Sequence, residues 1–272
     1  MSTSRSSPND EHQNFFILLR AASFLGQPFL DMITKNSVKQ VAALRQQKFR
    51  KEQGRFVVEG RKMVEELLQS EFVTEALYAT DEWMGQFPQA EMVSKMQMEQ
   101  MSGQDTPPGI LAVVQIPEQQ HLSANPNFIL ALDGIANPGN MGTIIRTAEW
   151  FGIHDIVCSL DCVEIWNPKV VQATMGSLFR INVLEAELPD FLQEQHQKGK
   201  AIYGALLEGE NLFSMKGKTD GIIVIGSESH GIRKELLPLL SHPITIPRVG
   251  LSQTESLNAS VAAAIIMAEL TR

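Results

Sequence analysis

Cysteine is nearly absent. The 272-residue chain has only Cys158 and Cys162. A lone C-x3-C pair is too little for a disulfide framework or a four-ligand zinc site. It fits two reduced thiols in a cytoplasmic enzyme. The six histidines, at 12, 121, 154, 196, 230 and 242, form no H-x-x-x-H or H-E-x-x-H pair, so no metal is expected. No uninterrupted apolar run reaches the roughly 18 residues that a membrane span needs. The stretch from Phe15 to Leu30 is broken by Arg20, Gln27 and Pro28, and Asp10 and Glu11 precede it, unlike the cationic start of a signal peptide. No membrane partner is expected. The spacings G-x-G-x-x-G, G-x-x-x-x-G-K-[ST] and G-x-S-x-G are also missing, which removes the common dinucleotide, triphosphate and hydrolase readings. There is no internal repeat and no long low-complexity tract.

What is present is an ordinary globular composition, with 43% apolar and 20% charged residues. A chain of this length buries a sizeable core without staples. The net charge is −8, which argues mildly against nucleic-acid binding over the whole surface. The charge is uneven, however. Residues 33–62 carry nine basic side chains, among them Lys48, Arg50, Lys51, Arg55 and Arg61, against only Glu52 and Glu59. Such a stretch is either a phosphate-binding patch or a solvated helix face, and charge alone does not separate the two.

Apolar periodicity divides the chain. Residues 1–31 read as a poorly ordered extension, with Met32 a plausible alternative start. Val38, Val41 and Leu44 then recur at helical spacing. Arg55 to Glu59, Thr74 to Ala79 and Ile110 to Ile116 read as strands, and Gly60 opens a helix bearing Met63, Val64, Leu67 and Leu68. Residues 32–116 are thus expected to form a small α/β domain. Residues 117–127, with two prolines and few apolar side chains, read as a linker. From 128 to 272, apolar runs end near Asp133, Cys158, Leu206, Ile225 and Ile246, with helical patterns between them. That alternation predicts a mostly parallel sheet with helices on both faces. The last helix is expected over roughly Ser256 to Leu270.

Ligands of parallel α/β sheets bind beyond the carboxyl ends of the strands. Three polar, glycine-containing loops fall at such ends, over residues 133–146, 226–232 and 246–258. They read L-D-G-I-A-N-P-G-N-M-G-T-I-I-R-T-A, V-I-G-S-E-S-H-G-I and I-P-R-V-G-L-S-Q-T-E-S-L-N-A-S-V-A-A-A. In this order they closely resemble the three signature motifs of the SpoU branch of the SPOUT RNA methyltransferases. The resemblance covers Phe128 to the C-terminus, and residues 33–116 look like the substrate-binding domain that often precedes it.

The resemblance implies a trefoil-knotted catalytic domain working as a homodimer, a departure from the rule that chains do not thread loops. It implies S-adenosylmethionine as cofactor, held largely by backbone groups around Gly226, Ile246, Pro247, Leu251 and Leu257. It implies transfer of a methyl group to a ribose 2′-hydroxyl of RNA, with Asn140, Arg146, Glu228, Ser256 and Asn258 as the catalytic set. The six-residue step from Asn140 to Arg146 is the family spacing for its Asn and Arg. A guanidinium rarely deprotonates, so Arg146 is as well suited to clamp a phosphate and stabilise an alkoxide as to act as base. Each residue has a structural alternative: an ion pair with Glu149 or Asp133 for Arg146, a helix cap for Asn140 and Ser256, and a first-turn carboxylate for Glu228. Asn167-Pro168-Lys169 opens a helix and either touches RNA or simply turns the chain. Lys48, Arg50, Lys51, Arg55 and Arg61 are the expected RNA contacts, and ribosomal RNA is favoured over transfer RNA. A non-catalytic RNA-binding protein, or a methyltransferase acting on a base or a protein, are the other readings.

Overall fold

The computed structural model describes residues 33–118, 121–215, 220–250 and 253–272. The expected extension over residues 1–31, Met32 and Leu251 lie outside them.

From Lys35 onward the chain forms one compact unit. Its elements, in order, are α1 (Lys35–Ala43), α2 (Gln47–Gln53), β1 (Arg55–Glu59), α3 (Arg61–Leu68), β2 (Thr74–Ala79), α4 (Asp81–Met84), β3 (Glu91–Met92), α5 (Lys95–Met101), β4 (Ile110–Gln115), β5 (Phe128–Asp133), α6 (Pro138–Trp150), β6 (Asp155–Ser159), α7 (Pro168–Thr174), β7 (Asn182–Ala186), α8 (Leu188–Gln197), β8 (Ile202–Asn211), β9 (Gly221–Gly226), β10 (His242–Thr245) and α9 (Ala259–Leu270).

The strands form two sheets. The first has the order β1-β4-β2-β3, with β4 antiparallel to both neighbours and β2 parallel to β3. The second has the order β10-β8-β9-β5-β6-β7 and is parallel throughout. All six residues of its central strand β5 are buried, as a parallel strand covered on both faces requires. Alternate residues of β5 serve opposite cores. Phe128, Leu130 and Leu132 join Ile144 and Ile145 of α6 and Ile266 and Met267 of α9, whereas Ile129 and Ala131 join Leu188 and Leu192 of α8.

The first of these cores runs on into the N-terminal sheet. Phe56 of β1 meets Trp166 with ring centroids 4.7 Å apart, and Phe72 meets Phe179 at 5.4 Å. Helix α7 lies between that aromatic cluster and α6. The approach of α6 to α7 is close enough to demand glycine: a Cβ on Gly142 would lie 2.4 Å from the Cβ of Ala173.

Arg50 corrects an expectation. It is 1% exposed, so it is not available to RNA. Its guanidinium donates to both carboxylate oxygens of Glu164, Nε to Oε1 at 3.1 Å, and through Nη1 to the Leu44 and Arg45 carbonyls at 2.8 Å each. The reason is satisfaction: all three guanidinium nitrogens find acceptors in a dry site, which is the condition under which a charge is buried.

Candidate active site

Strand order reverses next to β5, and β5 and β9 run in register to their last residues, with Asp133 opposite Gly226. The loops that follow them leave the sheet side by side at that switch point. Asp133 joins the two. Its carboxylate is 1% exposed. It accepts the backbone N–H of Arg233 at 2.8 Å and the guanidinium Nε–H at 2.6 Å. Burial lowers the proton affinity of Arg233, but the charges and hydrogen bonds of Asp133, with Asp161 beyond, more than reverse that and raise it. The Asp133–Arg233 brace was not foreseen, because a lone Asp and a lone Arg 100 residues apart leave no local signal.

The first loop turns at Gly134, where φ is +69° and the N–H donates to Ser159 Oγ at 2.9 Å. Asn137 then caps α6, its Oδ1 accepting the N–H groups of Gly139 at 2.8 Å and Asn140 at 3.1 Å, with proline at the next position. The helix therefore starts at Pro138, and the cap is Asn137 rather than Asn140. This frees the Asn140 side chain. The second loop folds back on itself, with Ser227 and Gly231 exchanging both backbone hydrogen bonds, at 3.1 and 2.9 Å. A Cβ on Gly226 would lie 2.1 Å from the Gly231 carbonyl carbon, so no other residue permits this turn. The third loop ends at Asn258, which caps α9 by accepting from the Ser260 N–H at 2.9 Å and hydroxyl at 2.6 Å. Ser256, the expected cap, lies two residues before the actual cap Asn258 and is exposed.

Three predicted side chains meet across the three loops. Asn140 Nδ2 donates to a Glu228 carboxylate oxygen. Asn258 Nδ2 donates to Asn140 Oδ1 at 3.1 Å. A carboxylate only accepts, so Asn140 must turn its amide N–H groups to Glu228, which leaves its oxygen for Asn258. The line Glu228–Asn140–Asn258 has one polarity and ends on the first turn of α9.

Beside this line opens a cleft of about 1050 Å³, walled by all the described members of the expected cofactor set (Gly226, Ile246, Pro247 and Leu257), together with Glu228 and Ser256. Ala205, Leu206 and Leu207, just past the residues of β8 that pair with β9, form a wall that was not foreseen. Arg248 also lines the cleft and donates to the Glu255 carbonyl, closing the base of the third loop.

Arg146 is exposed on α6 and makes no hydrogen bond or ion pair among the described residues. The two carboxylates that would have neutralised it are taken, Glu149 by Arg180 and Asp133 by Arg233. Behind the first loop, the Cys162 thiol is pushed down to about 7, chiefly by a hydrogen bond from Cys158, whose own thiol is pushed up.

The remaining basic residues fare differently. Lys48, Lys51 and Arg61 are exposed; Lys48 stands 3.8 Å from Glu52 and Arg61 4.0 Å from Glu65. Arg55 is half-buried and bound to Glu75 at 2.6 Å. Asn167 caps α7, accepting from the Lys169 N–H at 2.9 Å, and Lys169 is exposed. Among the described residues there is no cluster of His, Cys, Asp and Glu that would hold a metal, and no helix long and apolar enough to cross a membrane.

Residues 127–268 match the SpoU rRNA methylase family, and residues 35–112 match the MRM3-like substrate binding domain. The chain belongs to the SpoU rRNA methylase family. Among curated relatives it is 29% identical, over 249 residues, to the 23S rRNA (guanosine(2553)-2′-O)-methyltransferase of Bacillus subtilis, covering 89% of this chain and 98% of that protein. Among solved structures it is similar to one described as an RNA methyltransferase of the TrmH family from Porphyromonas gingivalis, with a TM-score of 0.80, 34% identity, and coverage of 88% of this chain and 98% of that one. It is also similar to the AdoMet-bound rRNA methyltransferase of Sinorhizobium meliloti, with a TM-score of 0.78, 25% identity, and coverage of 89% and 96%. All three motif loops fall inside the stretch that matches the SpoU family, and the basic stretch falls largely inside the substrate-binding match.

Proposed function

We propose that this SpoU-family protein transfers a methyl group from S-adenosylmethionine to a ribose 2′-hydroxyl of ribosomal RNA. The observation that carries the reading is the Glu228–Asn140–Asn258 line, which joins the three motif loops beside the cleft.

The cleft suits the cofactor. Its volume is that of a small-molecule site. It is rich in loop backbone, able to read an adenine edge and an amino-acid carboxylate. Gly226, Ile246, Pro247 and Leu257 would hold it, with Leu251 in the same loop. When bound, the cofactor supplies an electrophilic methyl group on a sulfonium.

The chain's own residues do the rest. Asn140, fixed at both ends, presents one further amide hydrogen with which to orient a ribose hydroxyl. Glu228 keeps that amide from rotating, and Asn258 ties it to α9. Ser256 offers a hydroxyl on the cleft wall. Arg146, with no acid to neutralise it, clamps the phosphate beside the target and stabilises charge growing on the attacking oxygen. Lys48, Lys51 and Arg61, with Arg55 at the edge, hold RNA through phosphates, as structured RNA is commonly held.

We place the N-terminal module at residues 32–116, the linker at 117–127 and the catalytic domain at 128–272. The catalytic domain is taken to be knotted and homodimeric, after its family, and to act in the cytoplasm, where free Cys158 and Cys162 stay reduced. The test is transfer of radiolabelled methyl from S-adenosylmethionine to total bacterial RNA and to assembled ribosomal subunits. Wild type should label large ribosomal RNA. Cofactor binding without transfer to either substrate would contradict the reading.

A further inference from the structure

The second motif loop is a closed turn held by its foot. Ser227 and Gly231 exchange two backbone hydrogen bonds, and glycine at 226 lets the chain fold onto itself. Glu228 lies in that turn and is exposed, so burial does not place it. The turn beneath it does. On the incoming side the turn is fixed by the sheet, where Gly226 stands opposite Asp133. On the outgoing side it is fixed by Arg233, whose N–H and guanidinium Nε–H both donate to the Asp133 carboxylate, at 2.8 and 2.6 Å. One residue of β5 therefore holds both ends of the turn.

The first motif loop springs from the same residue. Gly134 follows Asp133 with φ at +69°, and Asn140 lies in the first turn of α6. The two loops thus form a ring. Asp133 with Arg233 closes it at the base, and Asn140 with Glu228 closes it at the top. The base also faces a third loop. Arg233 Nη2 lies 3.9 Å from Asp161, in the turn after β6, and a Cβ on Gly134 would lie 3.2 Å from the Asp161 carboxylate. Arg233 Nη1 lies 3.6 Å from Glu235. One guanidinium therefore serves the carboxyl ends of β9, β5 and β6, which are neighbours in the sheet. A planar fork can do this, whereas a lysine ammonium is a single point charge on a flexible stem.

Stability alone does not call for this pair. The Asp133 carboxylate is 1% exposed, and a buried ion pair is often no more stabilising than apolar residues of the same size. Ile232, next to Arg233, already sinks the foot of the turn into the core beside Leu236. That contact is non-directional. The ion pair adds direction, because two donors of one residue meet one carboxylate. We infer that Arg233 is a positioning residue for methyl transfer: anchored on Asp133, it sets the second motif loop where Glu228 meets Asn140. The inference rests on the function proposed above.

The test compares full-length wild type with Arg233→Ala, Arg233→Lys, Glu228→Ala and the variant carrying both alanines. Methyl transfer to ribosomal RNA gives kcat and KM. NMR of isotope-labelled protein follows the Asn140 side-chain amide, assigned by its absence in Asn140→Ala. Arg233→Ala should lower kcat about 10²-fold, the scale of loss when a reacting group is misplaced from a distance. KM for RNA and cofactor affinity should change little. The Asn140 amide signal should move toward its position in Glu228→Ala. Arg233→Lys keeps the charge but not the fork, so it should recover more of the thermal midpoint than of kcat. With Glu228 already replaced, loss of Arg233 should cost little more, because the contact it serves is gone. Losses that multiply would make Arg233 purely structural and overturn the inference. So would an unmoved Asn140 signal in Arg233→Ala. If Arg233→Ala fails to fold, Asp133→Asn with Arg233→Ala removes the buried unpaired charge and carries the same comparison. A wild type that transfers no methyl overturns the proposed function, but not the hold of Arg233 on this contact, which the Asn140 signal reports separately.

Discussion

Arg50 on α2 and Arg146 on α6 both read from the sequence as cations that face RNA, and the two halves of the molecule treat them oppositely. Arg50 comes from the most basic stretch of the chain, yet it is buried against Glu164 with every guanidinium nitrogen satisfied. Arg146 comes from a half in which acidic residues outnumber basic ones, yet it is exposed and unpaired among the described residues. Local charge density therefore does not report which cation is available. Availability depends on which acids the fold brings within reach, and it gave each nearby carboxylate around Arg146 another partner, Arg180 or Arg233.

That contrast is open to direct attack. Arg146→Ala should lower methyl transfer by about 10²–10³-fold, the usual loss when a donor aimed at developing charge is removed, with the thermal midpoint unchanged because the exposed side chain makes no hydrogen bond or ion pair among the described residues. Equal loss of stability and activity would place Arg146 with Arg50. Conversely, Arg50→Ala should destabilise by about 3–5 kcal/mol, because Glu164 stays buried without its partner. In a chain of this size that lowers the midpoint by roughly 10 °C in calorimetry. The double replacement Arg50→Met with Glu164→Leu should recover most of it. No recovery would mean that the pair is not an isolated unit.

Gly142→Ala probes the path from the N-terminal module to the catalytic helix. The added methyl collides with Ala173 and should cost about 1–3 kcal/mol through overpacking. Its activity loss should exceed its stability loss, because α6 carries both Asn140 and Arg146. The smallest effect is expected at Lys51 of α2, which is exposed and has no ion pair among the described residues. Lys51→Ala should reduce the slope of log affinity against log salt by about one, as for a single phosphate contact. The Arg50→Met, Glu164→Leu protein should leave that slope unchanged.

The same comparison shows how far the chain could be read. Strands with a short apolar run bounded by polar residues were legible to the residue, as at Arg55–Glu59 and Thr74–Ala79. Those whose exposed positions are polar were not, as at Asn182–Ala186, where only Val183 is fully buried, and along the outer part of β8. The motif loops pointed to the cleft, and Asn140, Glu228 and Asn258 meet beside it. What the pattern could not give was the start of α6 and of α9. Asn137 and Asn258 outcompeted the expected caps because their oxygens reach two N–H groups each. Long-range pairs such as Asp133–Arg233 and Arg50–Glu164 exist only once the chain is folded, and no spacing encodes them.

The central claim is that the Asn140 line and the free Arg146 serve a ribose hydroxyl. The most direct measurement is alkaline hydrolysis of RNA labelled by the enzyme, followed by separation of the products. Methylation of the 2′-oxygen blocks cleavage at that phosphodiester, so the label should appear in an alkali-resistant dinucleotide. Label recovered in mononucleotides would mean a methylated base and would contradict the account.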